Sequence, residues 1–179
     1  MASIRPFTAL DLHAFNPTNL DVLTENYDTT FYLSYLSKWP KLFLAVVSPT
    51  GTIMAYIMGK AEGEGIEWHG HVTALTVAPA YRRLGLAKVL MAELERVSEE
   101  VYNGYFVDLF VRVSNELAVK MYKGMGYSVY RRVVGYYSAG GGAEAEDAYD
   151  MRKSLKRDTK GQSVRENGET FLVSPEDVY

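Results

Sequence analysis

Two arginines, a glycine and an alanine, Arg82-x-x-Gly85-x-Ala87, stand between a β-prone run ending at Val77 and a helical apolar pattern beginning at Leu86. A loop so placed feeds the chain straight into a helix start, where backbone N–H groups lack partners and the positive end of the dipole favours anions. Gly85 and Ala87 let the backbone come close to a ligand, so a pyrophosphate fits there. The pattern is neither GxxxxGK[ST] nor GxGxxG. The competing reading is an arginine-rich cap on an ordinary surface helix.

Further along, Asn115, Ala118 and Tyr122 are three and four residues apart and share one face of a helix. On a preceding strand His69, His71, Thr73 and Leu75 alternate, which also puts them on one face. A His-x-His pair is able to ligate a metal, but His13 is the only other histidine and cysteine is absent, so no metal is expected. The plainer alternative is two exposed histidines on a strand.

The elements that must position these residues are legible in the pattern. Ile4 to Phe7 reads as a short strand, followed by a helix from Ala9 to about Phe15 that stops before Asn16-Pro17. After a loop at Asp21 to Tyr27, Phe31 to Lys38 is apolar at helical spacing and ends before Pro40. Leu42 to Val47 and Ile53 to Gly59 are β-prone runs joined by Ser48-Pro49-Thr50-Gly51, the composition of a hairpin turn. Ile66 to Val77 reads as the next strand. Leu86, Val89, Leu90, Leu94 and Val97 form one apolar helical face. Tyr105 to Val113 is nearly continuous in apolar residues, as in a strand buried on both faces.

A second helix should begin at Ser114 or Asn115 and end at Gly126, a suitable left-handed cap. Ser128 to Val134 and Ala148 to Met151 are the last strands, with the low-complexity run Gly140 to Glu146 as a mobile loop between them. The expectation is an α/β fold, a mixed seven-stranded sheet flanked by about four helices. Residues 1–155 form the domain and 156–179 a polar C-terminal tail, of low order or extended along it.

Composition narrows the function classes. A chain of 179 residues, 47% hydrophobic, suits a single domain. A net charge of -3 gives no broad attraction to nucleic acid or an anionic membrane. The absence of cysteine removes disulfide scaffolds, thiolate metal sites and a cysteine nucleophile. The opening MASIRPFTALD has no apolar run resembling a signal peptide, and no stretch approaches the roughly 20 apolar residues of a membrane span. A cytoplasmic protein is therefore expected.

The 82–87 loop, preceded by Val77-Ala78-Pro79, is similar to the Q/R-x-x-G-x-G/A loop and V-x-P strand end of the GNAT acetyltransferases. Ala118-x-x-Met121-Tyr122-x-x-x-Gly126-Tyr127 resembles that fold's A-x-x-[FL]-Y-x-x-x-G-[FY] run. More specifically, Glu25-Asn26-Tyr27, the run Trp68 to Leu75, the run Val107 to Asn115 and Gly135-Tyr136-Tyr137-Ser138 look like the catalytic subunits of the N-terminal acetyltransferase B (NatB) complex. The resemblance covers Met1 to about Leu155; the chain departs in a shorter loop before Trp68 and in its own C-terminal tail.

This resemblance implies a GNAT fold and acetylation, from acetyl-CoA, of the α-amine of nascent polypeptide N-termini beginning Met-Asp, Met-Glu, Met-Asn or Met-Gln. It implies cofactor contacts at Leu75, Val77, Arg82, Arg83, Gly85, Leu86, Ala87, Lys88 and Asn115, with Tyr122 as proton donor to the departing thiolate. His71 and Thr73 would contact the second substrate residue, and Glu25, Tyr27, Tyr136 and Tyr137 the peptide. It also implies a large helical auxiliary subunit, for which Leu10 to Leu36 is a candidate surface, and the ribosome through that subunit. Two rivals remain: a GNAT enzyme acting on lysine side chains, other N-termini or small amines, and a CoA-binding module without catalysis.

Overall fold

Phe43–Val47 (β2) is apolar throughout and all five residues are buried in the computed structural model. The structure describes residues 2–20, 24–137 and 145–178. They divide into two compact units, Met1–Glu62 with Gly70–Tyr102 and Gly63–His69 with Asn103–Tyr179.

In the first unit β2 pairs antiparallel with Ser3–Pro6 (β1) and with Ile53–Glu62 (β3). His69–Val77 (β4) follows, and the strand order is β1-β2-β3-β4. The β2–β3 hairpin closes through Ser48 and Thr52, with Gly51 at φ +87° where an L side chain is strained. Against these strands pack two helices, Asn16–Asn19 (α1) and Thr29–Lys38 (α2), over an aromatic core in which Phe7 stacks on Phe43 at 4.2 Å. Asn16-Pro17 was expected to end a helix; instead Pro17 sits in the first turn of α1, where its missing N–H costs nothing. The residues before it, Ala9–His13, form a 3-10 turn.

Leu86–Glu100 (α3) buries Leu90, Met91, Leu94 and Val97, the face the spacing predicts. Its approach to the strands depends on Gly59: a Cβ there would come within 2.7 Å of the His71 carbonyl oxygen and 2.8 Å of Leu94 Cδ1. An isolated glycine inside a strand pattern marks this kind of contact.

In the second unit Phe106–Arg112 (β5), Ser128–Tyr137 (β6) and Glu146–Ser154 (β7) pair antiparallel in the order β5-β7-β6, and Leu172–Val173 (β8) joins β6 in parallel. Glu116–Gly124 (α4) connects β5 to β6. Among the described residues the strands number eight rather than the expected seven. The eighth, β8, is two residues long within a polar stretch and offers no alternation to read. The stretch 156–178 also carries 3-10 turns at Gly168–Thr170 and Pro175–Asp177.

Boundaries differ elsewhere too. The strand expected from Ile66 starts only at His69, because Gly65–Glu67 forms a 3-10 turn. The strand expected to end at Val134 continues to Tyr137 through a register shift after Val133, with Gly135 at φ +65°. Most of the expected loop from Gly140, and Ser138, lie outside the described residues.

Candidate active site

The first unit holds a strand end, a loop and a helix start. β4 stops at Val77, the Ala78 amide donates to Met54 O at 2.9 Å, and Pro79–Tyr81 forms a 3-10 turn. The loop turns into α3 through two left-handed residues, Arg83 at φ 64° and Gly85 at φ 79°. Gly85 occupies the N-cap, so the first amides of α3 receive no side-chain cap, and the first turn holds no acidic residue. A cap-less, acid-free helix start beside Arg82, Arg83 and Lys88, all exposed, matches the needs of a phosphate-bearing ligand. Arg82 Nε donates to Val77 O at 3.3 Å, which folds that side chain back along the strand end.

Along β4, Thr73, Leu75 and Val77 are half-buried, alternating with the buried Val72, Thr76 and Ala78, so they share a face as the spacing required. Thr73 Oγ1 and the Tyr35 hydroxyl are hydrogen-bonded at 2.9 Å. His71 is 8% exposed with Nδ1 3.9 Å from Glu62 Oε1, and Glu62 is itself paired with Lys60. The reading of two exposed histidines fails, since His69 is buried as well. Sequence reasoning missed Glu62 and Tyr35 because each meets its partner only through the folded chain.

Glu25 is exposed, and Tyr27 lies half-buried with its ring stacked on Phe31 at 4.4 Å. Burial, with the Glu25 carboxylate adding to it, pushes the Tyr27 phenol up to about 12. Tyr27 therefore stays neutral in the physiological range.

The second unit, taken by itself, holds α4 and the end of β6. Asn115 caps α4 through Oδ1, which accepts from the Ala118 amide at 3.2 Å. Just before it, Glu146 at the start of β7 accepts from the Ser114 amide at 3.1 Å and from the Ser114 hydroxyl, and pairs with Arg112 at 3.0 Å. These bonds hold the Glu146 carboxyl below its usual range, the Ser114 hydroxyl contributing most. The start of α4 is thereby fixed from both sides of the cap.

Tyr122, on the last turn of α4, is 8% exposed and meets Tyr127 edge-on at 6.0 Å. Burial alone pushes its phenol up to about 12. Such a hydroxyl is a proton donor, not a base, at neutral pH. Gly126 takes φ 93° and ends the helix as expected.

Tyr136 stacks on Phe110 at 4.6 Å, and Tyr137 donates to Phe110 O at 3.3 Å beneath the Arg112 guanidinium, 4.0 Å from its ring centroid. Both belong to β6 and pack against β5 residues.

The model of the acetyltransferase (GNAT) family matches residues 10–127. Over 180 residues the chain is 58% identical to the N-terminal acetyltransferase B complex catalytic subunit of Schizosaccharomyces pombe, covering 99% of each. This chain belongs to the GNAT family, among the NatB catalytic subunits. Among solved GNAT structures, Naa20 of Chaetomium thermophilum in complex with a bisubstrate analogue is 44% identical, with a TM-score of 0.90 and 99% of each chain covered. A NatB acetyltransferase complex bound to CoA and MES is 49% identical at a TM-score of 0.77, covering 86% of this chain and 99% of that one. The GNAT fold expected from the two motifs is thus the fold of this chain. Among its described residues no helix is long and apolar enough to cross a membrane.

Proposed function

We propose that this chain is the catalytic subunit of a NatB-type complex, transferring acetyl from acetyl-CoA to the α-amine of proteins beginning Met-Asp, Met-Glu, Met-Asn or Met-Gln. The observation that carries the reading is the start of α3: left-handed Gly85 at the N-cap, no side-chain cap and no acid in the first turn.

Acetyl-CoA supplies the acetyl group as a thioester. The amides of Leu86, Ala87 and Lys88, with Gly85 giving close access and Arg82 and Arg83 nearby, bind its pyrophosphate. Leu75 and Val77 on β4 hydrogen-bond its pantetheine arm through their backbone, and the N–H near Leu75 stabilises the oxyanion. Asn115 retains its Nδ2 donor while Oδ1 caps α4, so it is equipped to bond the same arm.

An α-amine has a pKa near 8, so about a tenth is neutral at pH 7, and a weak base or water suffices to take its proton. The amine nitrogen bonds to the acetyl carbon, the carbon–sulfur bond breaks, and the leaving thiolate takes the Tyr122 phenolic proton. Direct attack needs no acyl-enzyme, which agrees with a chain lacking cysteine. On the substrate side, Glu25, Tyr27, Tyr136 and Tyr137 hold the peptide, while His71 and Thr73 read the second side chain. His71 is suited to carboxylates and amides alike, as its imidazole can donate to either.

The partner is a large helical auxiliary subunit that brings the enzyme to the ribosome in the cytoplasm. Leu10, Leu20 and Leu33 are 78%, 72% and 43% exposed along the first helical region, apolar surface that a partner would cover. The test is acetylation of short peptides that differ in their first two residues, with free and blocked α-amines. Transfer to lysine side chains or to small amines instead would favour the GNAT rival of other specificity.

A further inference from the structure

Gly168 lies hard against β6: a Cβ built on it would fall 2.0 Å from the Val129 carbonyl oxygen and 2.7 Å from the Tyr130 carbonyl carbon. Backbone atoms cannot swing aside as side-chain ends do, so any larger residue at 168 lifts this segment off the strand. From there the chain follows β6, the Arg132 amide donating to Phe171 O at 2.8 Å and Leu172 and Val173 pairing with Arg132 and Val133.

Arginines fasten the same segment. Arg131 donates to Asp177 O at 3.3 Å and Val178 O at 3.5 Å, while its Nε holds the fully buried Asp150 at 2.8 Å. Arg165 lies 3.8 Å over the Tyr130 ring and 4.3 Å over Phe171. Tyr130 sits where β6 slips register against β7, between Val129 and Arg131, and Arg152 packs 3.7 Å from its ring. Finally Glu169 Oε1 accepts from Lys123 Nζ at 3.0 Å.

Lys123 is the residue after Tyr122. Between α4 and β6 lie only Met125–Tyr127, and the Tyr127 amide donates to the Tyr122 carbonyl at 3.1 Å. A shift in the first half of β6 is therefore carried into the last turn of α4. An exposed ion pair adds little stability by itself, so the value of Lys123–Glu169 lies in placement.

We propose that residues 156–178 are a strap that positions the last turn of α4, with Gly168 and Glu169 as positioning residues for proton donation by Tyr122. The proposal rests on the acetyl-transfer reading above. Its test compares kcat, both KM values and melting temperature for the full chain with its auxiliary subunit, as wild type, Gly168→Ala, Glu169→Gln and the double exchange Lys123→Glu with Glu169→Lys. Gly168→Ala and Glu169→Gln are each repeated in a Tyr122→Phe background.

Gly168→Ala should lower kcat about tenfold and Glu169→Gln about threefold, with KM values within about twofold. The Arg132 amide should lose exchange protection in Gly168→Ala, and the charge exchange should recover kcat. In the Tyr122→Phe background both substitutions should cost almost nothing further, because residues acting through one group are not additive. A Gly168→Ala protein that loses Arg132 protection yet keeps wild-type kcat would overturn the proposal, as would full additivity with Tyr122→Phe. Should Gly168→Ala not fold, Glu169→Gln in the two backgrounds decides the matter. A folded wild-type complex that acetylates no α-amine would instead remove the acetyl-transfer reading, and the positioning role with it.

Discussion

Asn115 Oδ1 accepts the Ala118 amide at 3.2 Å, so the residue that starts α4 is committed to capping on the same face that carries Tyr122. Asn115→Ala should therefore do two separable things. Loss of the cap should cost about 1 kcal/mol of stability, and loss of the amide should weaken acetyl-CoA. Asn115→Asp, which keeps the capping oxygen, should recover the melting temperature and leave the KM for acetyl-CoA raised. Equal KM values for Asn115→Asp and wild type would leave Asn115 as a cap only.

Tyr122→Phe should lower kcat by roughly 100-fold, within the range for a positioned general acid, while acetyl-CoA binding stays within about twofold. Steady-state kinetics and calorimetry separate the two. Unchanged turnover would take the phenol out of the mechanism.

The same residue makes an alkaline prediction. Its folded pKa, about 12, lies above the ordinary tyrosine value of 10, so the folded state holds this proton more tightly than the unfolded chain. The stabilisation is complete below pH 10 and is lost as pH rises towards 12. Wild type should lose stability across that window, with Tyr122 accounting for roughly 2 kcal/mol, and Tyr122→Phe should lose less. Parallel curves for the two proteins in alkaline denaturation would contradict the burial argument. Activity, in turn, should show no alkaline fall from this group below about pH 10.

At the helix start, Arg82→Ala should raise the KM for acetyl-CoA about tenfold at constant kcat, the loss expected for one charge-assisted contact. Gly85→Ala has open space for its methyl group but must adopt φ 79°, at a cost of about 1 kcal/mol. Calorimetry with CoA checks the first and thermal melting the second. Normal CoA affinity in Arg82→Ala would contradict a pyrophosphate role.

His71→Ala should weaken peptides beginning Met-Asp about tenfold more than a peptide with a small second residue, as the loss of a charge-assisted bond requires. Competition between the two peptides in one reaction measures the ratio directly. Equal losses on both would count against the proposed contact.

Much of this was legible because it depends on short-range pattern. β2, β3, β5 and α3 announce themselves through continuous apolar runs or one apolar helical face, and Asn115 and Gly126 punctuate α4 by residue type alone. What stayed hidden is set by tertiary partners. Tyr136 and Tyr137 belong to β6 only because Gly135 bends the strand and Phe110 receives both of them. β8 exists because β6 offers hydrogen bonds to a stretch that has no pattern of its own. The pairing of Glu62 with His71 joins the ends of two strands, and no spacing rule reaches across that distance.

The most direct test mixes the purified chain and its auxiliary subunit with acetyl-CoA and a peptide beginning Met-Asp that also contains a lysine, and locates the added acetyl group by fragment mass. One acetyl group is expected, on the α-amine, and none when that amine is blocked. Acetyl found on the lysine, or thiol released without any modified peptide, would contradict it.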